Sequence, residues 1–126
     1  REDEPYLVTV NYGYDPGERC FYFHCSLVGK KIDYLRANPR VWAQVLDDRG
    51  YRQGKCDHAF RTVQIRGRAE IVDDEDQKRQ ALALMIDQLE ADPEPVKARL
   101  LGNLKPEKVG IVRVRVLEMT GKRDAG

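Results

Sequence analysis

Apolar and polar positions alternate along most of this chain. Between Phe60 and Val72, Val63, Ile65, Gly67, Ala69 and Ile71 alternate with Thr62, Gln64, Arg66, Arg68 and Glu70. A period of two predicts a long, half-buried strand, with Gly67 as a bend or bulge. Near the end, Val112, Val114 and Val116 alternate with Arg113 and Arg115, which predicts a closing strand over Lys108 to Met119 with both arginines on a solvent face. The β-branched run within Pro5 to Tyr12 and the aromatic run Cys20 to Cys25 predict two more strands. Tyr14-Asp15-Pro16-Gly17-Glu18 reads as the turn joining them, with Pro16 setting φ and Gly17 taking positive φ. Val41 to Leu46 reads as a fifth strand, followed by a polar loop from Asp47 to Asp57.

Helical spacing is confined to three places. Ile32 and Leu35 predict a short helix from about Gly29 to Asn38, stopped by Asn38-Pro39. Asp73 or Asp74 caps a second helix reaching about Ala91, with Leu82, Met85, Ile86 and Leu89 as its apolar stripe. Pro95 to Leu101 adds a third helical piece. At least five antiparallel strands with few helices exclude a doubly wound sheet, and a small closed or partly closed barrel would remove the sheet edges.

The 126 residues make one domain, expected to expose about 6,900 Å² when folded. Twenty-two basic residues against 21 acidic ones give a net charge of +1. That excludes a globally basic nucleic-acid binder. No apolar run approaches the roughly twenty residues of a membrane span, and no leader is expected before the domain. The chain opens on Arg1 rather than Met, so its natural N-terminus is expected upstream. Three cysteines, Cys20, Cys25 and Cys56, are too few for a disulfide scaffold and predict reduced thiols in a cytoplasm.

Lys30 and Lys31 fall in the first turn of a predicted helix, where acids belong and cations are unfavourable. An anion there would meet backbone N–H groups, two ammonium groups, close approach at Gly29 and the Ser26 hydroxyl. The segment 26–31 therefore reads either as a phosphate cradle or as two surface lysines at a helix start; spacing alone does not separate the two. It is not a Walker loop, because His24 stands where that loop needs Gly. Arg61 could reach the same anion, although a solvated charge at a strand end is the plainer reading. His24 could donate to a ligand or move a proton; by the residues alone a cross-strand partner in the hairpin is favoured. A zinc site is rejected, since His24 and Cys25 are adjacent on a strand, point to opposite faces, and lack paired C-x-x-C spacing.

Several of these pieces, in this order and spacing, resemble the pyridoxamine 5'-phosphate oxidase-like flavoproteins, and most nearly their nitroimidazole-resistance reductase branch. They are the run from Pro5 to Tyr14, Phe21 to Ser26 with Gly29-Lys30-Lys31, Asn38-Pro39-Arg40-Val41, and Arg61-Thr62-Val63 with Gly67-Arg68-Ala69-Glu70. Thr120-Gly121-Lys122-Arg123 also resembles the family's ending. The resemblance implies a mainly β, antiparallel, Greek-key-like split β-barrel that binds FMN at the interface of a homodimer. By position, Thr9, Val10 and Asn11 would line the flavin ring, and His24, Cys25 and Ser26 the ribityl chain and phosphate. Gly29, Lys30 and Lys31 would hold the phosphate, and Arg61 and Thr62 would approach from one or the other subunit. His24 matches the position that the nitroimidazole branch sets near flavin and substrate.

The family's usual strand and helix before Pro5 are missing here. So is the C-terminal substrate segment of true pyridoxamine-phosphate oxidases, which puts the vitamin substrate in doubt. The implied activity is an FMN-dependent oxidoreductase acting on a small-molecule substrate, with a nitroaromatic acceptor in view. The same scaffold also serves flavin- or haem-binding modules without turnover and deazaflavin-dependent reductases, so fold alone leaves those readings open.

Overall fold

The structure, a computed structural model, describes residues 10–26, 30–52 and 57–124, with the side chains of 30–31, 46–52, 57–61 and 122–124 outside that description. Five strands, β1 (Gly13–Asp15), β2 (Cys20–Cys25), β3 (Arg40–Arg52), β4 (Asp57–Val72) and β5 (Gly110–Asp124), form one sheet in the order β1-β2-β5-β4-β3. Every neighbouring pair is antiparallel, and setting β2 beside β5 rather than β3 is a Greek-key order. Helix α1 (Lys30–Ala37) joins β2 to β3. Helices α2 (Glu75–Leu89) and α3 (Pro93–Gly102) and a 3-10 turn at Pro106–Lys108 join β4 to β5. The chain is mainly β and antiparallel, as its alternation predicts.

Each face of the sheet has its own core. On one face, Ile32 and Leu35 of α1 pack onto Ala69, Val112 and Val114, together with Phe21, Phe23 and Cys25. On the other, Ala81 and Met85 of α2 pack onto Val72 and Ile111, together with Tyr22 and Leu82. Alternation along β2 and β5 produces this division, because consecutive side chains leave a strand on opposite sides. Ile65, Ile111 and Val112 are all but completely buried.

Gly67 marks the expected irregularity. The β4–β5 register slips between Arg66 and Gly67, so that Leu117 has no partner in the ladder. A Cβ at Gly67 would stand 2.7 Å from Val114 Cγ1 and 2.8 Å from the Arg115 carbonyl oxygen, so only glycine allows this approach.

The structure corrects several expectations. The segment predicted as a turn begins with a strand: Gly13 to Asp15 pair with Tyr22 to Cys20. The tight turn follows, with Asp15 Oδ1 accepting hydrogen bonds from the Gly17 and Glu18 N–H groups. Positive φ falls on Arg19, at 52°, not on Gly17. The polar stretch read as a loop is mostly strand, since β3 runs to Arg52 and β4 starts at Asp57. Register there sets Asp47 opposite Arg61 and Arg52 opposite Asp57. Asp74 does sit at the N-cap of α2, but its side chain makes no capping bond. Leu89 is 53% exposed and drops out of the α2 stripe, where Ala81 belongs. Buried Lys78 tethers α2, its ammonium donating to the Pro106 and Val109 carbonyls at 2.8 and 2.9 Å.

Candidate flavin site at the junction of β2 and α1

Alternation along β2 sorts the predicted site residues. Phe23 and Cys25 turn toward the α1 face, where both pack on the core around Ile32. His24, opposite Ile111 on β5, is exposed on the other side. The side chains of His24 and Cys25 therefore do not line one surface, as their adjacency on a strand predicts. Ser26 follows directly and is exposed.

Burial of Ile32 and half-burial of Leu35 fix α1 against the sheet, with its N-terminus beside the end of β2. The first-turn N–H groups of a helix have no intrahelical partner and carry partial positive charge. Lys30 and Lys31 open α1, as expected, and Asp33 in the same turn supplies the acid that the macrodipole favours. Thr9 and Gly29 lie outside the described residues, as does Cys56; the side chains of Lys30, Lys31 and Arg61 do too. Val10, half-buried, and Asn11, exposed, lead into β1, beside the ring contacts of Tyr12 and Tyr14 with Phe21.

Arg61 and Thr62 are elsewhere. Thr62 is 8% exposed, in register with Leu46 on β3 and Lys122 on β5. The register links His24 through Ile111 to Val72, at the opposite end of β4. Ten residues separate Thr62 from Val72, about 33 Å along a strand. Within one chain the structure does not bring Arg61 and Thr62 to the β2–α1 junction.

A polar cluster that the alternation misassigns lies on the α2 face. Arg113, expected on a solvent face, has a side chain only 13% exposed. Its Nε donates to the Tyr22 hydroxyl at 3.3 Å and a terminal nitrogen donates to Gln77 Oε1 at 2.7 Å. Its guanidinium sits 5.6 Å from the centre of the Tyr22 ring, within cation–π range. Glu70 takes an ion pair from Arg115 and lies 3.9 Å from Arg113. Burial pushes the Cys20 thiol above its ordinary pKa, partly offset by the Tyr22 hydroxyl bonded to it. Burial likewise raises Tyr22, against the opposing hydrogen bond from Arg113. The signal available in the sequence was the spacing of Gln77 on a helix that must cover this face.

Among the described residues no three of His, Cys, Asp and Glu converge as a metal site. Among the described residues, neither Cys20 nor Cys25 is in a disulfide. No described helix is long and apolar enough to cross a membrane.

The family model for pyridoxamine 5'-phosphate oxidase matches residues 1–123. The chain belongs to the pyridoxamine 5'-phosphate oxidase family. This member is 26% identical to the solved structure of a candidate 5-nitroimidazole antibiotic resistance protein from Bacteroides thetaiotaomicron VPI-5482. That likeness has a TM-score of 0.69 and covers 95% of this chain and 69% of the other. A FAD-binding protein from Mesorhizobium loti shares the fold at 24% identity and TM-score 0.66, over 99% of this chain and 81% of the other. The flavocytochrome Anf3 from Azotobacter vinelandii shares it at 20% identity and TM-score 0.73, over 100% of this chain and 59% of the other. The split barrel expected from the resemblance is thus the architecture of this family member. An uncharacterized protein, RA0666, from Rhizobium meliloti (strain 1021) is 40% identical over 55 residues, 44% of this chain and 34% of that relative. The matched stretch spans about a third of that relative's length.

Proposed function

We propose that this family member is an FMN-dependent oxidoreductase that binds its flavin between two copies of the chain and reduces a small acceptor, with nitroaromatic compounds the first class to test. The observation that carries the flavin reading is the family match over residues 1–123. The likeness to the Bacteroides protein motivates the nitro acceptor.

The residues present suit a flavin that ends in a phosphate. In this reading the first-turn N–H groups of α1, the helix that Lys30 and Lys31 open, would take the phosphate, with the two lysines and Ser26 as the further donors that the sequence offers. Backbone groups of Thr9, Val10 and Asn11 flank the ring in this reading. His24 is exposed and open to exchange a proton with an acceptor. The bound flavin supplies the two-electron chemistry, and the chain supplies binding, orientation and field.

One feature supports the two-copy form. The roughly 33 Å along β4 between Thr62 and the β2–α1 end leaves Arg61 and Thr62 for a second chain to supply. A two-fold pair would complete two equal sites.

The test is extraction of the cofactor from purified protein, with mass spectrometry, followed by steady-state reduction of a nitroimidazole with NADH or NADPH. The reading expects FMN, one per chain, and nitro reduction that depends on it. A haem or deazaflavin in the extract contradicts the FMN assignment, and tightly bound FMN without turnover would leave a binding module.

A further inference from the structure

The α2 face carries a polar cavity of about 270 Å³, near the turn end of β2 rather than the α1 end. Its floor follows from the register. Asp15, Cys20 and Arg115 form one row across β1, β2 and β5, and Gly13, Tyr22, Arg113 and Glu70 form the next, extending onto β4. Directly paired residues share a face, so the acid of β1 and the arginines of β5 stand on the same side, two strand spacings or about 10 Å apart. Glu18 extends the acidic edge from the turn. Gln77 and Gln80, one helical turn apart on α2, form the wall above.

The lining selects its ligand by charge. Every lining residue has a polar group, so an apolar molecule would gain little by entering. A dianion would meet Asp15 and Glu18, and a dication would meet Arg113 and Arg115. A molecule with one group of each sign satisfies both edges. Arg113 is held by Tyr22 and Gln77, which orients its guanidinium. Glu70 engages Arg115 through Nε, and a guanidinium has four further N–H groups with which to fork onto a carboxylate. The volume lies below the roughly 300–1,000 Å³ of drug-sized sites, which fits a molecule of amino-acid size.

We infer that this cavity binds a small amino-carboxylate zwitterion, its carboxylate on Arg113 and Arg115 and its ammonium on Asp15 and Glu18. The inference does not depend on the flavin reading, because it uses none of the residues at the β2–α1 junction.

The test titrates the purified full chain, with whatever cofactor it carries, against the twenty L-amino acids at about 10 mM each by thermal shift, then by calorimetry. At least one should bind. The amine lacking its carboxylate and the acid lacking its amine should each bind about tenfold more weakly or worse. Arg115→Gln and Glu18→Gln, both at exposed positions, should each weaken binding by a similar factor while circular dichroism and bound cofactor stay unchanged. No binding by any member of the panel overturns the inference. So does an analogue with a single charge that binds as tightly as the parent, or a folded variant of either kind that binds normally.

Discussion

Gln88 of α2 hydrogen-bonds the backbone of Tyr14 as a neighbouring strand would. Its Nε2 donates to the Tyr14 carbonyl at 2.6 Å and its Oε1 accepts from the Tyr14 N–H at 2.7 Å. Among the described residues β1 is the edge of the sheet, and one side-chain amide thereby occupies both ladder groups of its central residue. Gly13 permits the approach, since a Cβ there would lie 2.9 Å from Met85 Cγ. Gln88→Ala should cost about 1–2 kcal/mol in urea unfolding, from two neutral hydrogen bonds at an exposed site. Gln88→Glu, which keeps the acceptor and loses the donor, should cost at least as much as one bond. An unchanged unfolding midpoint for Gln88→Ala would mean that water replaces the amide without loss.

Gly67→Ala tests the close crossing of β4 and β5. The new methyl would meet both Val114 Cγ1 and the Arg115 carbonyl. Overpacking of this kind costs about 1–3 kcal/mol. Val114→Ala in the same chain should relieve only the side-chain part, because the carbonyl is backbone. Full recovery in the double variant would show that the backbone contact is harmless.

The long elements were legible because one face of each is buried. The alternation from Val63 to Ile71 and the ends of β2 needed no partner to be read. The polar ends of β3 and β4 were read as loop because their residues satisfy no apolar pattern; register pairs them with each other, as at Asp47 and Arg61, and local sequence does not carry register. Arg113 was assigned to solvent for a related reason. Alternation gives its face but not the fact that α2 lies over it with Gln77 as a partner. The site suffered similarly: Lys30 and His24 flank the same strand end, whereas the distance from there to Thr62 depends on the β2–β5–β4 register.

Stability should fall as pH rises into the alkaline range. Burial raises the Cys20 thiol and the Tyr22 phenol, so the folded chain holds both protons more tightly than the unfolded chain does. The folded state then binds more protons, and stability drops once pH passes the ordinary thiol value of 9.0 and continues to drop through the raised values. Lys97, raised by hydrogen bonds to Asp87 and Glu94, acts in the same direction at higher pH. Urea titrations from about pH 7 to pH 10 should show this decline, with a shallower slope for Cys20→Ala above the thiol value. A rise in stability over that range would contradict the assignment.

Lys30→Ala should weaken FMN about 10- to 150-fold, from one hydrogen bond to a charged group. Riboflavin, which lacks the phosphate, should bind the variant and the parent alike. Fluorescence titration of the apo-protein measures both. Equal losses for the two ligands would place Lys30 in the support of the fold rather than at the phosphate.

The most direct test of the two-copy site is a mixed dimer of Lys30→Ala and Arg61→Ala chains, purified through two different tags and titrated with FMN. If each site takes Lys30 from one chain and Arg61 from its partner, the mixed dimer holds one site with both defects and one intact site. It should then bind about one FMN per dimer with the parent's affinity, while each homodimer of a single variant binds weakly at both sites. Weak binding at both sites of the mixed dimer would mean that Lys30 and Arg61 act on the same flavin from one chain, and the shared site would be wrong.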